Sequence, residues 1–258
     1  MMDDYSSFLL YSNPMRENYT LTRLYIEAPL IAGESLDLSK AQAHFLGTVL
    51  RKEEGDAIRI FNGHDGEWRA EISAISKKTA TLKITEQLRV PKPCPDIILC
   101  FAPVKKHRTN FIFEKATELG VSAIIPVITA RTQFPKLNLD KAHMQTIEAA
   151  EQTERLDVPT IHPVQKLEAM LNGWGNARTL IFADEAGDAK PALDALTDVK
   201  GPSAILIGPE GGFTSKERDI LRTHKFVVPV SLGPRILRSD TAALSLLTLW
   251  QAVHGDWT

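Results

Sequence analysis

Residues 204–212, Ala-Ile-Leu-Ile-Gly-Pro-Glu-Gly-Gly, constrain this chain more than any other stretch, because four apolar residues break directly into a loop with three glycines and a proline in five positions. The apolar run reads as a buried strand, and the loop as the turn at its carboxyl end. Glycine is needed where backbone takes positive φ or lies against a ligand, and proline stiffens what remains, so the loop reads as a binding element. Thr214-Ser-Lys-Glu217 fits a capping box, which opens a helix directly after it.

A second unit of the same design follows. Phe226–Ser231 is strand-like, Leu232–Arg238 is a loop, and Ser239–His254 is an apolar helix. Two strand–loop–helix units in series place two loops at one edge of a parallel sheet, where open α/β folds bind ligands. Neither loop is a nucleotide P-loop, since no Gly-Lys-Ser/Thr follows the glycines, and the dinucleotide spacing is missing too. With both motifs in this order, Ile207-Gly-Pro-Glu-Gly-Gly-Phe213 and Leu232-Gly-Pro-Arg-Ile-Leu-Arg-Ser-Asp-Thr-Ala242, the sequence closely resembles the ribosomal small subunit methyltransferase E family, of the SPOUT class of knotted RNA methyltransferases.

That resemblance implies an α/β fold: a SPOUT-type parallel sheet with a deep trefoil knot at the carboxyl end, which ordinary chain topology makes very rare, after a small PUA-like β-barrel. It implies S-adenosylmethionine held by three loops: the turn at Ala183, the loop carrying Gly208, Glu210, Gly211 and Gly212, and the loop carrying Leu232, Gly233, Ile236 and Leu237. The implied reaction is methylation of N3 of a uridine in 16S ribosomal RNA within the small ribosomal subunit, by a cytoplasmic homodimer. Uracil N3 is a weak acid that must lose its proton before attack, so cations near O2 and O4 and a proton acceptor are needed. Arg131, Arg155, Arg235 and Arg238 are candidates for the cations, and Glu210 and Asp240 for the acceptor; Asp240 reads more readily as a helix cap beside Ser239. The catalytic set expected is Arg238, Glu210 and Arg155, with Glu148 and Gln152 lining the substrate side or ordering Arg155. Arg23, Lys105, Lys106, Arg108 and Arg131 are expected to contact RNA.

The remaining chain supplies the frame. Leu21–Glu27, Asp56–Phe61, Glu67–Ile75 and Thr79–Glu86 are β-rich runs with tight turns between the last three, and Ser39 is a plausible N-cap for a helix carrying His44 and Phe45. Val90–Pro95 holds three prolines in six residues, which excludes helix or central strand and marks a boundary. The division expected is a disordered extension over 1–20, an RNA-docking barrel over 21–90 and the catalytic domain over 91–258. In the latter, strands are expected at Asp96–Ala102, Ser122–Ile128 and Arg178–Ala183, with helices at Thr109–Leu119 and from about Asn138 to Thr153.

A net charge of −2 gives no global nucleic-acid signature, so phosphate binding falls to local clusters such as Lys105-Lys-His-Arg108. Cys94 and Cys100 fit no metal or redox spacing and read as structural, and His44, His107 and His162 are isolated, so no metal is proposed. No run reaches membrane-spanning length. The rival reading is a non-catalytic RNA-binding or ribosome-assembly protein whose glycine loops are plain turns.

Overall fold

The computed structural model describes residues 18–186 and 188–257. Its chain divides between Lys92 and Pro93 into two compact units.

The amino-terminal unit runs β1 (Arg23–Tyr25), β2 (Ser35–Asp37), α1 (Lys40–His44) continuing into a π turn (Phe45–Val49), β3 (Ala57–Phe61), β4 (Glu67–Ile75) and β5 (Ala80–Arg89). They form a five-stranded sheet of order β1-β3-β4-β5-β2, parallel between β1 and β3 and antiparallel elsewhere. Three register shifts bend the β4–β5 ladder, so the sheet curves over a core of Leu24, Leu46, Ile58, Ile60, Leu82 and Ile84. Full burial of each such side chain contributes about 1.5–3 kcal/mol. Most of the expected extension lies outside the described residues. Its inner end, however, is tied to the sheet: Arg69 Nη1 donates to Asn18 Oδ1 at 3.4 Å and Arg59 Nη2 to the Tyr19 carbonyl at 3.2 Å.

Beneath that contact Glu67 is buried and gripped by Arg23 (2.6 Å), Arg89 (2.8 Å) and Arg59 (3.5 Å). Burial pushes the Glu67 carboxyl up, but the guanidinium groups of Arg89 and Arg23 outweigh it and hold it below its ordinary value. Arg23, expected to contact RNA, is engaged inside this cluster instead. Its side chain is 2% exposed, its Nε is spent on Glu67, and its guanidinium carbon lies 4.3 Å from the Phe61 ring.

The carboxy-terminal unit contains β6 (Ile97–Phe101), α2 (Lys106–Glu118), β7 (Ala123–Ile128), α3 (Leu139–Gln152), β8 (Thr160–Ile161), β9 (Gln165–Lys166), α4 (Leu167–Asn172), β10 (Thr179–Ala183), β11 (Lys190–Pro191), α5 (Ala192–Asp198), β12 (Ser203–Ile207), α6 (Ser215–Thr223), β13 (Val227–Ser231) and α7 (Ser239–His254). The sheet order is β11-β13-β10-β12-β6-β7-β8, with β9 also on β7, and every pairing is parallel. Carboxyl ends of all these strands therefore meet at one edge, and the segments following β6, β7, β10, β12 and β13 share it. One apolar cluster joins Ile97, Leu99, Ile205 and Ile207 to α2 and α7, and another packs Cys100, Phe182 and Leu206 against α4 and α6.

The apolar circumference of α7 leads the sequence to require a partner subunit, yet the protomer supplies most of its cover. Ala242, Ala243, Leu246, Leu247 and Trp250 are buried, Leu244, Leu249 and Val253 pack on the same cluster, and the fully exposed positions are the small Thr241, Thr248 and Ala252. Among the described residues, no helix is long and apolar enough to cross a membrane.

Candidate active site

Three loops at the carboxyl edge enclose an open-mouthed cavity of about 180 Å³. Ala183, Gly208, Gly212, Leu232, Gly233, Ile236 and Leu237, all expected at a ligand, line it, joined by Asp184, Glu185, Phe213 and Ser239. A turn closed by the Gly212 N–H on the Pro209 carbonyl (2.9 Å) shapes the middle loop. Gly212 has φ +65°, and a β-carbon there would lie 1.8 Å from Glu185 Oε1; one at Gly208 would lie 2.7 Å from the Phe213 ring. Both glycines are therefore required by the geometry. Ser239 Oγ donates to the Gly208 carbonyl at 2.8 Å, which ties the start of α7 to the middle loop.

The cavity suits an adenosylated amino acid. Leu232, Ile236, Leu237 and Phe213 give apolar walls for a planar base, while the backbone N–H groups of Ile236 and Leu237 find no acceptor among the described residues and remain available to a ligand. Glu185 supplies a carboxylate acceptor at the rim. Asp184 was not expected from the sequence. Its side chain is fully buried at the end of β10, receives Arg222 Nη2 at 2.5 Å and Nε at 3.0 Å from α6, and has Arg218 at 3.8 Å. Arg222 also grips Asp188, and that contact holds the Asp188 carboxyl down at about 2. Strand β10, its turn and α6 are thus cross-linked beside the cavity.

Glu210 and Gly211 do not reach this cavity. They line a separate, small cleft of about 10 Å³ that also has Pro209 in its wall, facing Arg131, Gln133, Phe134, Pro103 and Val104. The middle loop has two faces, one toward each recess, an alternation the glycine spacing does not disclose. Arg131 Nη1 donates to the Gly211 carbonyl at 2.7 Å, and Glu217, half of the expected capping box, also accepts from the Ala130 N–H at 2.7 Å.

The expected cations separate by environment. Arg155 is corrected from catalytic to structural: its guanidinium is buried and donates to the carbonyls of Thr117 (2.9 Å) and Val121 (2.6 Å) and to Asp157 (2.7 Å), next to the amino end of β7 and so at the edge opposite the cavity. Glu148 and Gln152 are exposed on α3. Arg108, expected on RNA, lies between Asp240 (3.6 Å) and Glu210 (3.8 Å), bracing α7 against the middle loop. Asp240 does not cap α7 as a side chain, because Arg238 holds the N-cap position through its backbone and Asp240 accepts only from the adjacent Thr241 N–H (3.0 Å). Lys105, Lys106, Arg235 and Arg238 are exposed at the carboxyl edge. The Cys94 thiol donates to Asp157 at 3.1 Å, and burial pushes it up to about 12, so it is no nucleophile.

Residues 90–251 match the family model for an RNA methyltransferase domain, and residues 38–85 match that for an RNA methyltransferase PUA domain. The chain is 34% identical over 228 residues to ribosomal RNA small subunit methyltransferase E of Rickettsia conorii, covering 87% of this chain and 93% of that one. Among solved structures, it is similar to a Legionella pneumophila methyltransferase in complex with bound SAM (TM-score 0.83, 32% identity, 92% of this chain and 99% of that one). A second similar structure is ribosomal RNA small subunit methyltransferase E of Neisseria gonorrhoeae bound to S-adenosyl methionine (TM-score 0.83, 28% identity, 92% and 100%).

Proposed function

Because this chain belongs to the ribosomal RNA small subunit methyltransferase E family, we propose that it methylates N3 of a uridine in 16S ribosomal RNA of the small subunit, using S-adenosylmethionine. The observation that carries the reading is the three-loop cavity, whose apolar walls, unpaired N–H groups and rim carboxylate suit that cofactor without any further residue. Residues 183–185, Gly208, Gly212 and 232–237 would hold it. When bound, it supplies an electrophilic methyl group and leaves as a neutral thioether.

The protein's own work is to prepare uracil. Glu210, which follows Pro209 in the middle loop, takes the N3 proton, and Arg108 at 3.8 Å steadies the carboxylate. Negative charge then spreads to O2 and O4, where an exposed guanidinium is worth most; Arg238, which has no ion-pair partner among the described residues, is assigned that role. Lys105, Lys106 and Arg235, exposed at the same edge, hold backbone phosphates.

The finer architecture belongs to the same reading. Strand β10 lies between β12 and β13, the two strands that follow it and β11 in the chain, and this order supports a carboxyl-terminal trefoil knot. The curved five-stranded sheet is read as a PUA-like barrel that docks RNA, and the enzyme as a cytoplasmic homodimer. The test is a methylation assay on small ribosomal subunits lacking the modification, with the product base identified by mass. Transfer to N3 of one uridine is expected; no transfer, with no heat on titrating S-adenosylmethionine, would leave the assembly-protein reading instead.

A further inference from the structure

We infer that residues 45–51 of the amino-terminal unit form a docking surface for unpaired RNA, an inference that rests on the reading of this chain as an RNA enzyme and names the face by which its first unit meets the substrate. The reason lies in how the segment is folded. In an α-helix Leu46, Val49 and Leu50, spaced i, i+3 and i+4, would share one face and enter the core together. The π turn at Phe45–Val49, closed by the Leu50 N–H on the Phe45 carbonyl at 3.0 Å, separates them. Leu46 is fully buried in the core of the first sheet, whereas Val49 is 59% exposed and Leu50 and Phe45 are each 38% exposed.

Arg51 adds a second irregularity. Its φ is +54°, and the Lys52 N–H donates to the Leu46 carbonyl at 2.9 Å, so the arginine occupies the left-handed position that closes a helix, where glycine is the usual residue. Local stability alone would favour glycine here. An arginine held in that conformation, directly after three exposed apolar side chains, points to a function for the exposure. The surface is also firmly placed: Ser39 and Gln42 form a capping box, Gln42 Nε2 donates to the Tyr25 carbonyl at 3.0 Å, and a β-carbon on Gly47 would lie 3.4 Å from Ile75 and from the Ser76 carbonyl oxygen.

Charge decides what covers this surface. The close packing at Gly47 sets the hairpin between β4 and β5 beside the turn, and its tip, closed by the Ser76 N–H on the Thr79 carbonyl at 2.8 Å, carries Lys77 and Lys78. These two lysines, with Lys40 and Arg51, are exposed and have no ion-pair partner among the described residues. The acidic pair Glu53 and Glu54 sits in the following turn, whose Gly55 N–H donates to the Ile72 carbonyl at 2.8 Å, three residues back along β4 from Ile75. An exposed aromatic ring among uncommitted cations fits unpaired RNA: splayed bases stack on Phe45 and on the planar Arg51 guanidinium, and phosphates meet the lysines. A duplex keeps its bases stacked within itself and would leave Phe45, Val49 and Leu50 uncovered.

The full chain should be titrated by fluorescence anisotropy with a single-stranded RNA of about ten nucleotides, within the range of single-strand site sizes, and with a duplex of the same length. Phe45→Ala should weaken single-strand binding by about fivefold to 150-fold, the range of one lost base–aromatic stack, and leave duplex binding unchanged, while Phe45→Tyr should preserve both. Arg51→Gly should lower the slope of log affinity against log salt by about 0.7 in the single-strand titration, the share of one phosphate contact, and should raise the urea midpoint because glycine relieves the positive φ. Wild-type single-strand affinity in Phe45→Ala, equal losses on single strand and duplex, or a lower midpoint in Arg51→Gly would overturn the surface. So would a wild-type dimer that Phe45→Ala converts to monomer in sedimentation, since a second copy would then cover the patch. The expected variant pattern without methyl transfer to small subunits would instead overturn the reaction and leave the RNA surface standing.

Discussion

Gly212→Ala tests the two-faced middle loop most directly. Two effects of the added methyl can be separated. Its β-carbon would sit 1.8 Å from Glu185 Oε1 and 2.6 Å from Glu185 Cδ, but Glu185 is exposed and its carboxylate can swing aside. The backbone conformation cannot be escaped so easily: φ is +65°, and a non-glycine residue in the left-handed region costs roughly 1–2 kcal/mol. The free loop can relax away from that strain, whereas the cavity wall must adopt it to receive ligand, so S-adenosylmethionine affinity should fall by about 5- to 30-fold at about 1.4 kcal/mol per decade. Gly211→Ala is the control. Its β-carbon meets only Arg131 Cβ and Cδ at 3.5 Å, without positive φ, so affinity should stay within about twofold, the scale of an ordinary surface substitution. A Glu185→Ala/Gly212→Ala double variant recovers little affinity if φ dominates, and most of it if the collision does. Calorimetric titration of variants with unchanged circular dichroism decides the matter. Wild-type affinity in Gly212→Ala, with loss in Gly211→Ala, would show that the faces of the loop have been assigned the wrong way round.

Arg238→Ala should lower the single-turnover rate by about ten- to a hundredfold while leaving cofactor affinity unchanged, because a contact made in the transition state registers in the rate; lost affinity at an unchanged saturated rate would contradict this. Arg222→Ala leaves the buried Asp184 with Arg218 at 3.8 Å and the Ala186 N–H at 3.1 Å, and should cost roughly 2 kcal/mol in urea unfolding once the partial exposure of Arg222 is discounted; an unchanged midpoint would refute the brace. Glu67→Gln removes the carboxylate shared by three arginines and should cost roughly 3 kcal/mol near neutral pH. Since the folded-state value of Glu67 is depressed, its contribution is present above its ordinary value of 4.5 and is lost as pH falls through the folded one, so the gap between wild type and Glu67→Gln should narrow on acidification below that value; a constant gap would mean that the charge is not what stabilises.

Local signals carried much of the fold. Strand β4 and helix α7 have the boundaries that pattern alone assigns, and both the capping box at Thr214 and the N-cap of α1 at Ser39 are formed. What escaped was short or induced by neighbours. Strands β2, β8, β9 and β11 span two or three residues each, and α4 and α5 are six and seven residues long. Such pieces carry too few positions to show a period, and they exist because a longer strand or helix holds them in place. The curvature of the first sheet comes from register shifts in β4 and β5, which depend on partner strands and leave no local mark. Helix α7 is ambiguous for another reason. Its composition correctly required burial on more than one face, but composition does not say whether the cover comes from the same chain or from another.

The site divides along a similar line, and the arginines show why. In sequence Arg23, Arg108, Arg131, Arg155 and Arg238 are equivalent, each a cation near a suggestive motif. A guanidinium has five N–H donors, and burial obliges it to satisfy them within the protein, so its availability to a ligand is set by what surrounds it. Those surroundings are remote in the chain: Arg23 meets Glu67 44 positions away, and Arg155 meets Thr117 38 away. Glu217 shows both ranges at once, since its bond to Thr214 three residues back was legible and its bond to Ala130, 87 residues back, was not. Arg108 brings the remote effect to the chemistry itself. By lying against Glu210 and Asp240 it takes up the two carboxylates that would otherwise be natural partners for Arg238. Arg238 is left exposed between the third loop and α7 with its charge uncommitted, the condition under which a cation can answer charge that develops on a bound base.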